Sequence, residues 1–294
     1  MTATTPRRVI RVPASVGNLG PGFDTFGLAV ALYLRVFVRR RIDDGQGRLV
    51  AHFDTPRPVA QDGIARAFHH WPARIARPAS LEVDVTSQIP ERAGLGSSAA
   101  AAVAGLRLRQ LSDGRRSLDD VVAAAAQIEG HPDNAGAVIH GGLTSSRTFP
   151  DGRVMVARWR WPPAWRLVVA TPHAQLATSE SRRALPAQVP LVDAVFNFQR
   201  IALLLHAVQT RNPAEMMAAL EDRCHQPYRE PLLPVFRAAL ELRHPDLLGV
   251  CLSGAGPSVL AIARRRPEAI ERELLGVYRK AGVPCTIRVK RVHQ

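Results

Sequence analysis

The sequence predicts an α+β protein built as two lobes. Its 294 residues exceed one ordinary domain of roughly 100–200 residues. Strand patterns lead and helix patterns follow in the first half, and both types mix again in the second. A break rich in turn and bulky residues over 150–163 (Pro150, Asp151, Gly152, then Trp161, Pro162, Pro163) separates the two halves. We therefore expect an N-terminal lobe over 1–155 and a C-terminal lobe over 156–294.

The elements follow in order. Residues 9–12 alternate and end at Pro13, and residues 28–39 form a long apolar strand pattern. Leu49–Phe53 and residues 81–86 are shorter strands, the second with Leu81, Val83 and Val85 on one face. The span 54–80 is rich in Pro and Arg and has no clear periodicity. A helix opens after Gly96, because 97–111 is dense in Ala and Leu. Another starts near Ser117, which caps a first turn holding Asp119 and Asp120. In the second half, 165–170 is a strand, Leu191–Thr210 a helix, and Pro213 and Pro231 each start another. Strands over 250–252 and 259–262 flank a glycine loop. A helix over 267–281 and a strand over 285–292 close the chain.

Composition excludes several classes. The three cysteines, Cys224, Cys251 and Cys285, are scattered, so neither a disulfide framework nor a zinc site is expected. The most apolar stretches, 99–106 and 201–208, fall short of the ~20 residues that span a bilayer. The first eight residues carry no apolar run behind their arginines and do not read as a signal peptide. A cytoplasmic protein without membrane partners is expected. The formal charge is +14, yet only Lys280 and Lys290 are lysines. The arginine clusters at 39–41 and 264–266 have no interleaved aromatics, so nucleic acid is not an expected partner. A small anionic substrate accounts for part of the excess.

Four loops carry the chemistry. Pro90-Glu-Arg-Ala-Gly94-Leu95-Gly96-Ser97-Ser98 follows a strand and opens an Ala-rich helix. Glycines there turn successive N–H groups toward one point, and the helix adds its unpaired N–H groups and dipole. This is a phosphate cradle. It lacks the lysine of a Walker loop. Its formal dinucleotide match (Gly94, Gly96, Ala99, with Asp113 beyond) follows an alternating strand and Pro90, unlike a Rossmann unit. The second loop, Pro13 to Asp24, is long for a hairpin turn and offers Asn18 and Asp24 to a polar ligand. The third, Leu252-Ser253-Gly254-Ala255-Gly256-Pro257-Ser258, joins two strands and is expected to expose N–H groups. The fourth, Glu129-Gly-His131-Pro-Asp133-Asn134, follows a helix.

In the order PASVGNLGPGFD, IPERAGLGSSAAAAVAG, EGHPDN and LSGAGPS, these segments resemble the GHMP kinase superfamily and, within it, the branch that phosphorylates homoserine. Thr178 and Arg182 followed by Leu185-Pro186, and Gln226-Pro227-Tyr228-Arg229 followed by Leu233-Pro234, fit the same pattern. The resemblance implies a ribosomal S5 domain 2-like N-terminal lobe and a ferredoxin-like C-terminal lobe. It implies ATP as co-substrate, with Mg²⁺, and a homodimer as in many relatives. Gly94, Leu95, Gly96, Ser97 and Ser98 are expected around the ATP phosphates, with Ser98 near Mg²⁺. Asn18, Asp24, His131, Asn134, Arg182 and Arg229 are expected around L-homoserine. Its carboxylate suits two guanidinium forks, and its ammonium suits Asp24. Thr178 is expected near the transferring phosphoryl group.

The base of related kinases is an Asp; the corresponding position here is Asn134. The catalytic set is thus Thr178, Asn134 and Asp24, without a strong general base. Gly17 stands where Ala is usual, which implies a more flexible first loop. The position eight residues before His131, where some relatives place the metal carboxylate, is Ala123; Glu129 takes that role here. The stretch 45–80 lacks an Asn-Leu segment that usually helps form the nucleotide pocket. Two further readings stay open at this point: a kinase for another small hydroxylated acceptor, and a non-catalytic relative that binds nucleotide or amino acid.

Overall fold

The computed structural model describes residues 8–54, 58–114 and 116–294. All of the first eight residues, read above for a leader, lie outside this set except Arg8. Two sheets organise the chain. The first runs β3-β4-β2-β5-β6, with β1 also paired to β2. Its strands are β1 (Val9–Gly17), β2 (Phe26–Ile42), β3 (Leu49–Phe53), β4 (Ser80–Ser87), β5 (Leu143–Thr148) and β6 (Val154–Trp159). β1 does not end at Pro13: the register shifts between Pro13 and Ala14, and a bulge lets proline stay within a strand. The functional loop is therefore shorter than expected and starts at Asn18.

β3 and β4 are parallel, which requires a crossover. It is α1 (Pro58–His70), hidden in the Pro- and Arg-rich stretch. α2 (Ser97–Asp113), α3 (Leu118–Glu129) and α4 (Asp133–His140) pack on the sheet. Ser117 caps α3 in a full capping box with Asp120. Asp113, the acidic residue of the formal dinucleotide match, is buried and pairs with Arg109 and Arg116; it is structural.

The second sheet runs β10-β7-β9-β8, from β7 (Arg166–Pro172), β8 (Leu247–Leu252), β9 (Val259–Ala263) and β10 (Cys285–Lys290). Between β7 and β8 lie α5 (Thr178–Arg183), α6 (Leu191–Thr210), α7 (Pro213–Ala219), α8 (Gln226–Arg229) and α9 (Phe236–Leu240); α10 (Pro267–Lys280) precedes β10. A four-stranded antiparallel sheet of this order, with helices crossing after its first and third strands, is ferredoxin-like. The expected cut at 155/156 falls inside β6; the first sheet continues to Trp159 and the second begins at Arg166.

One core spans both sheets. Leu167, Val169, Leu260 and Ile262 join it from one face of the second sheet, while Val168, Ala170, Val259 and Ala261 pack on the other face with α9 and α10. Burial on both faces explains why these strands read as unbroken apolar runs. The chain's last residues return to the first sheet, with His293 N–H donating to Ala29 O and Val292 bridging Val30.

α6 corrects the estimate of apolar runs: it has 20 residues, an 18-residue stretch of it has a mean hydropathy of 1.4, and it is long and apolar enough to cross a membrane by length and composition. Asn197, Leu204, Ala207 and Val208 face the core, and Asn197 Nδ2 donates to Pro21 O and Asp222. Leu191, Val192 and Phe198 are exposed.

Candidate active site

Three loops meet in contacts that bridge very distant sequence positions. Gly254 N–H donates to Gly17 O, and Ser253 Oγ to Gly94 O at 2.7 Å. Asn18 Nδ2 donates to Gly254 O at 2.9 Å, while Asn18 Oδ1 accepts from Asp24 N–H. Gly94 has φ +73°, and a Cβ there would collide with the backbone oxygens of Ser253 and Gly256. Only glycine fits.

Gly96 sits in the left-handed region and leads into α2 with no side-chain cap. The first-turn N–H groups of α2 thus open toward the cleft between the loops, the arrangement that binds phosphate. Opposite, Ser98 Oγ donates to the Glu129 carboxylate at 2.7 Å. Burial raises the Glu129 pKa, and the Ser98 bond partly offsets this.

At the other end, Arg182 grips Asp24 with both guanidinium nitrogens, at 3.0 and 2.7 Å. Arg229 is only 1 % exposed. It donates to Gly254 O and to His225 Nδ1. Among the described residues no carboxylate stands within ion-pair distance of it. Both guanidiniums lie near the Phe23 ring, at 5.5 Å for Arg182 and 5.3 Å for Arg229. Burial, and then the Arg182 charge, bring the Arg229 pKa down to about 10. An isolated buried cation of this kind is costly unless an anion joins it.

Asp133 opens α4 and is 1 % exposed. Its Oδ1 faces His131 Nδ1 at 2.6 Å and accepts from Asn134 Nδ2. Burial opposes the charged imidazole, but the Asp133 bond and charge outweigh it and raise the His131 pKa. Ser15 Oγ donates to Asn134 Oδ1.

The cleft encloses about 280 Å³. Two family models match the chain: GHMP kinases N terminal domain over residues 62–142 and GHMP kinases C terminal over 204–280. The homoserine kinase of Moorella thermoacetica is 38% identical, over 95% of both chains. The chain belongs to the GHMP kinase family. Among solved structures, the homoserine kinase of Cytophaga hutchinsonii superposes with TM-score 0.82 at 22% identity, over 100% of this chain and 97% of that one. A putative homoserine kinase from Listeria monocytogenes gives 0.74 at 27%, over 97% and 95%.

In this family member the structure gathers Asn18, Asp24, Gly94, Gly96, Ser97, Ser98, Glu129, His131, Asn134, Thr178, Arg182, Arg229, Gly254 and Ala255 around one cleft. Leu95, Ser253 and Gly256 are not in its wall: the Leu95 side chain is buried and Ser253 braces Gly94. The third loop offers fewer of its N–H groups than expected. Ser253, Gly254 and Gly256 spend theirs on Ser258 O, Gly17 O and Ser253 O, so these three brace the cradle, while Ala255 stands in the cleft wall. Asn134 is not in a loop but in the first turn of α4.

Nor does Gly17 loosen its loop. It ends β1, where a Cβ would lie 2.6 Å from Asp133 Oδ2, so its role is close approach. Sequence reading passed over Arg66, Arg92 and Asp133, which line the same cleft. Asp133 lay in the quoted EGHPDN segment; Arg66 lay in the stretch without periodicity and gave no signal.

Proposed function

We propose that this GHMP kinase transfers the γ-phosphoryl group of ATP to the side-chain hydroxyl of L-homoserine, giving ADP and O-phospho-L-homoserine. The observation that carries the reading is the polarity of the cleft. One end is a helix-borne phosphate cradle. The other sets a carboxylate, Asp24, beside two guanidiniums, one of them buried without an anion. A zwitterionic amino acid fits that end, with ammonium toward Asp24 and carboxylate toward Arg229 and Arg182. The names of the curated relatives point the same way.

Two groups could hold a cation. Asp24, His131 and Asp133 bring ligating atoms within 4.8 Å of one another, but Asp24 is already neutralised by Arg182, and Mg²⁺ favours oxygen ligands. Ser98 and Glu129 offer two oxygens beside the cradle and are the better Mg²⁺ ligands. A bound Mg²⁺ supplies charge neutralisation for the phosphates. The chain's own groups position the reactants. The α2 N-terminus receives phosphate oxygens, and His131, whose pKa the Asp133 bond and charge raise against burial, adds positive potential when protonated.

Asp133 is not the base. Its Oδ1 is taken by His131 and Asn134, and its Oδ2 abuts Gly17. Asn18 acts as a positioning residue, because both ends of its amide are spent on the loops. Thr178 lines the cleft wall on α5, which supports a role for it beside the transferring group. The hydroxyl proton passes to phosphate or water as the loose transition state forms.

The test is coupled ADP release with Mg-ATP and no acceptor, L-homoserine, L-serine, L-threonine or mevalonate. Homoserine-dependent turnover on the order of 1–100 s⁻¹ supports the reading. Turnover confined to another acceptor, or none with any, overturns it.

A further inference from the structure

The cradle lacks the lysine found in a Walker loop, and a Mg-bound triphosphate keeps net negative charge. Of the four arginines that line the cleft, two are committed to its far end: Arg182 holds Asp24, and Arg229 is buried in its own hydrogen bonds. The other two, Arg66 and Arg92, are exposed at the cleft and form no ion pair among the described residues. They come from different elements. Arg66 comes from α1 and lines the same cleft as Ser98 and Glu129, and its positive charge already acts on Glu129. Arg92 sits two residues before Gly94. Its φ is +49°, a conformation that a bulky side chain adopts only at a cost, and such strain collects at functional sites.

We infer that Arg66 and Arg92 form the cationic clamp of the nucleotide triphosphate, gripping it from the two sides of the cradle and replacing the missing lysine. The inference rests on the kinase reading but not on the identity of the acceptor. Guanidinium suits this task, since a planar fork holds two phosphate oxygens at once. Arg66, on the Glu129 side, neutralises the metal-bound phosphates. Arg92, at the cradle mouth, faces the end where the γ-phosphoryl group leaves.

The test is calorimetric titration of the full chain with the Mg complex of a non-hydrolysable ATP analogue, and with adenosine as a competitor. Arg66→Ala and Arg92→Ala should each weaken the triphosphate by about tenfold to a hundredfold, the range of one charge-assisted contact. Adenosine should change by less than about twofold. Arg66→Lys should recover part of the loss.

Arg92→Gly separates function from structure. Glycine accepts the left-handed φ, so its melting temperature should rise while triphosphate affinity falls; a merely structural arginine would lower the first and spare the second. Unchanged triphosphate affinity in both alanine variants overturns the clamp, even if homoserine is phosphorylated. Equal losses for adenosine and triphosphate overturn it as well, because the residues would then shape the pocket. If homoserine proves not to be the acceptor but the triphosphate-specific loss appears, the clamp stands and the acceptor assignment falls. A wild-type chain that binds no Mg-nucleotide overturns both.

Discussion

Replacing Arg229 by methionine tests the substrate end of the cleft most directly. The guanidinium is 1 % exposed and has only neutral partners: Ser181 O, Gly254 O and His225 Nδ1. A carboxylate bound there is fully desolvated, and losing one member of a buried charge pair costs about 2–5 kcal/mol. At 1.36 kcal/mol per decade this is roughly 30-fold to 5,000-fold in affinity. Folding should respond much less. Methionine fills similar volume without the desolvation cost of an unpaired cation, and such exchanges are often neutral or stabilising. Gly254 O keeps its bond from Asn18, while Ser181 O and His225 Nδ1 lose their donor, so the net change in stability should be near neutral.

Two assays read this. Steady-state kinetics should show KM for homoserine raised at least ~30-fold with KM for ATP little changed. Thermal unfolding supplies the second. Homoserine at 100 times its dissociation constant stabilises the wild type by about 2.7 kcal/mol. At ~2 cal/mol/K per residue this moves the melting temperature by about 4 °C. The same concentration should move the variant by no more than ~1.5 °C. A variant that keeps its homoserine KM within threefold refutes the placement of the carboxylate.

Asp24→Asn removes the charge opposite Arg182. KM for homoserine should rise by about tenfold to a hundredfold, with kcat within roughly fivefold; a collapse of kcat with intact homoserine affinity would make Asp24 the base. Gly94→Ala puts a Cβ against the backbone of the third loop at φ +73°. Denaturant titration should show a loss of at least ~1 kcal/mol from the left-handed backbone alone, with weaker nucleotide binding because cradle and strut separate. His225 is buried, and burial lowers its pKa below the ordinary 6.5. The unfolded chain then binds the proton first, so stability is full above 6.5 and falls as pH drops toward the depressed folded value. Melting temperature against pH should show this slope, and His225→Gln should flatten it.

Much of the cleft was legible because phosphate-binding and turn chemistry leave local marks. Gly94-Leu95-Gly96-Ser97-Ser98 needs its glycines for backbone reasons alone, and the helix after it is plain from alanine density. The misreadings share a cause: the deciding contact lay elsewhere in the chain. Pro13 looked like a strand end because its bulge is settled by pairing with β2. β5 and β6 went unread because Thr144 and Ser146 are buried polar residues whose pattern imitates a loop. α1 was obscured by the prolines and arginines of the stretch around it.

The third glycine loop shows most clearly how far local reading goes. Ser253 to Gly256 has the composition of an anion nest, and from sequence its N–H groups are as available as those of the cradle. What separates strut from cradle is whether another oxygen reaches those groups first. Gly17 O does, from the end of β1, and Asn18 ties the same loop to Asp24 from 236 positions away. The consequence is mechanical as well as chemical. The loop that carries Asp24, the loop that precedes α2 and the loop between β8 and β9 share hydrogen bonds at two adjacent residues, Ser253 and Gly254. One backbone amide and one backbone carbonyl of Gly254 therefore tie the end of β1, Asn18 and Arg229 together, while Ser253 beside it holds Gly94 of the cradle.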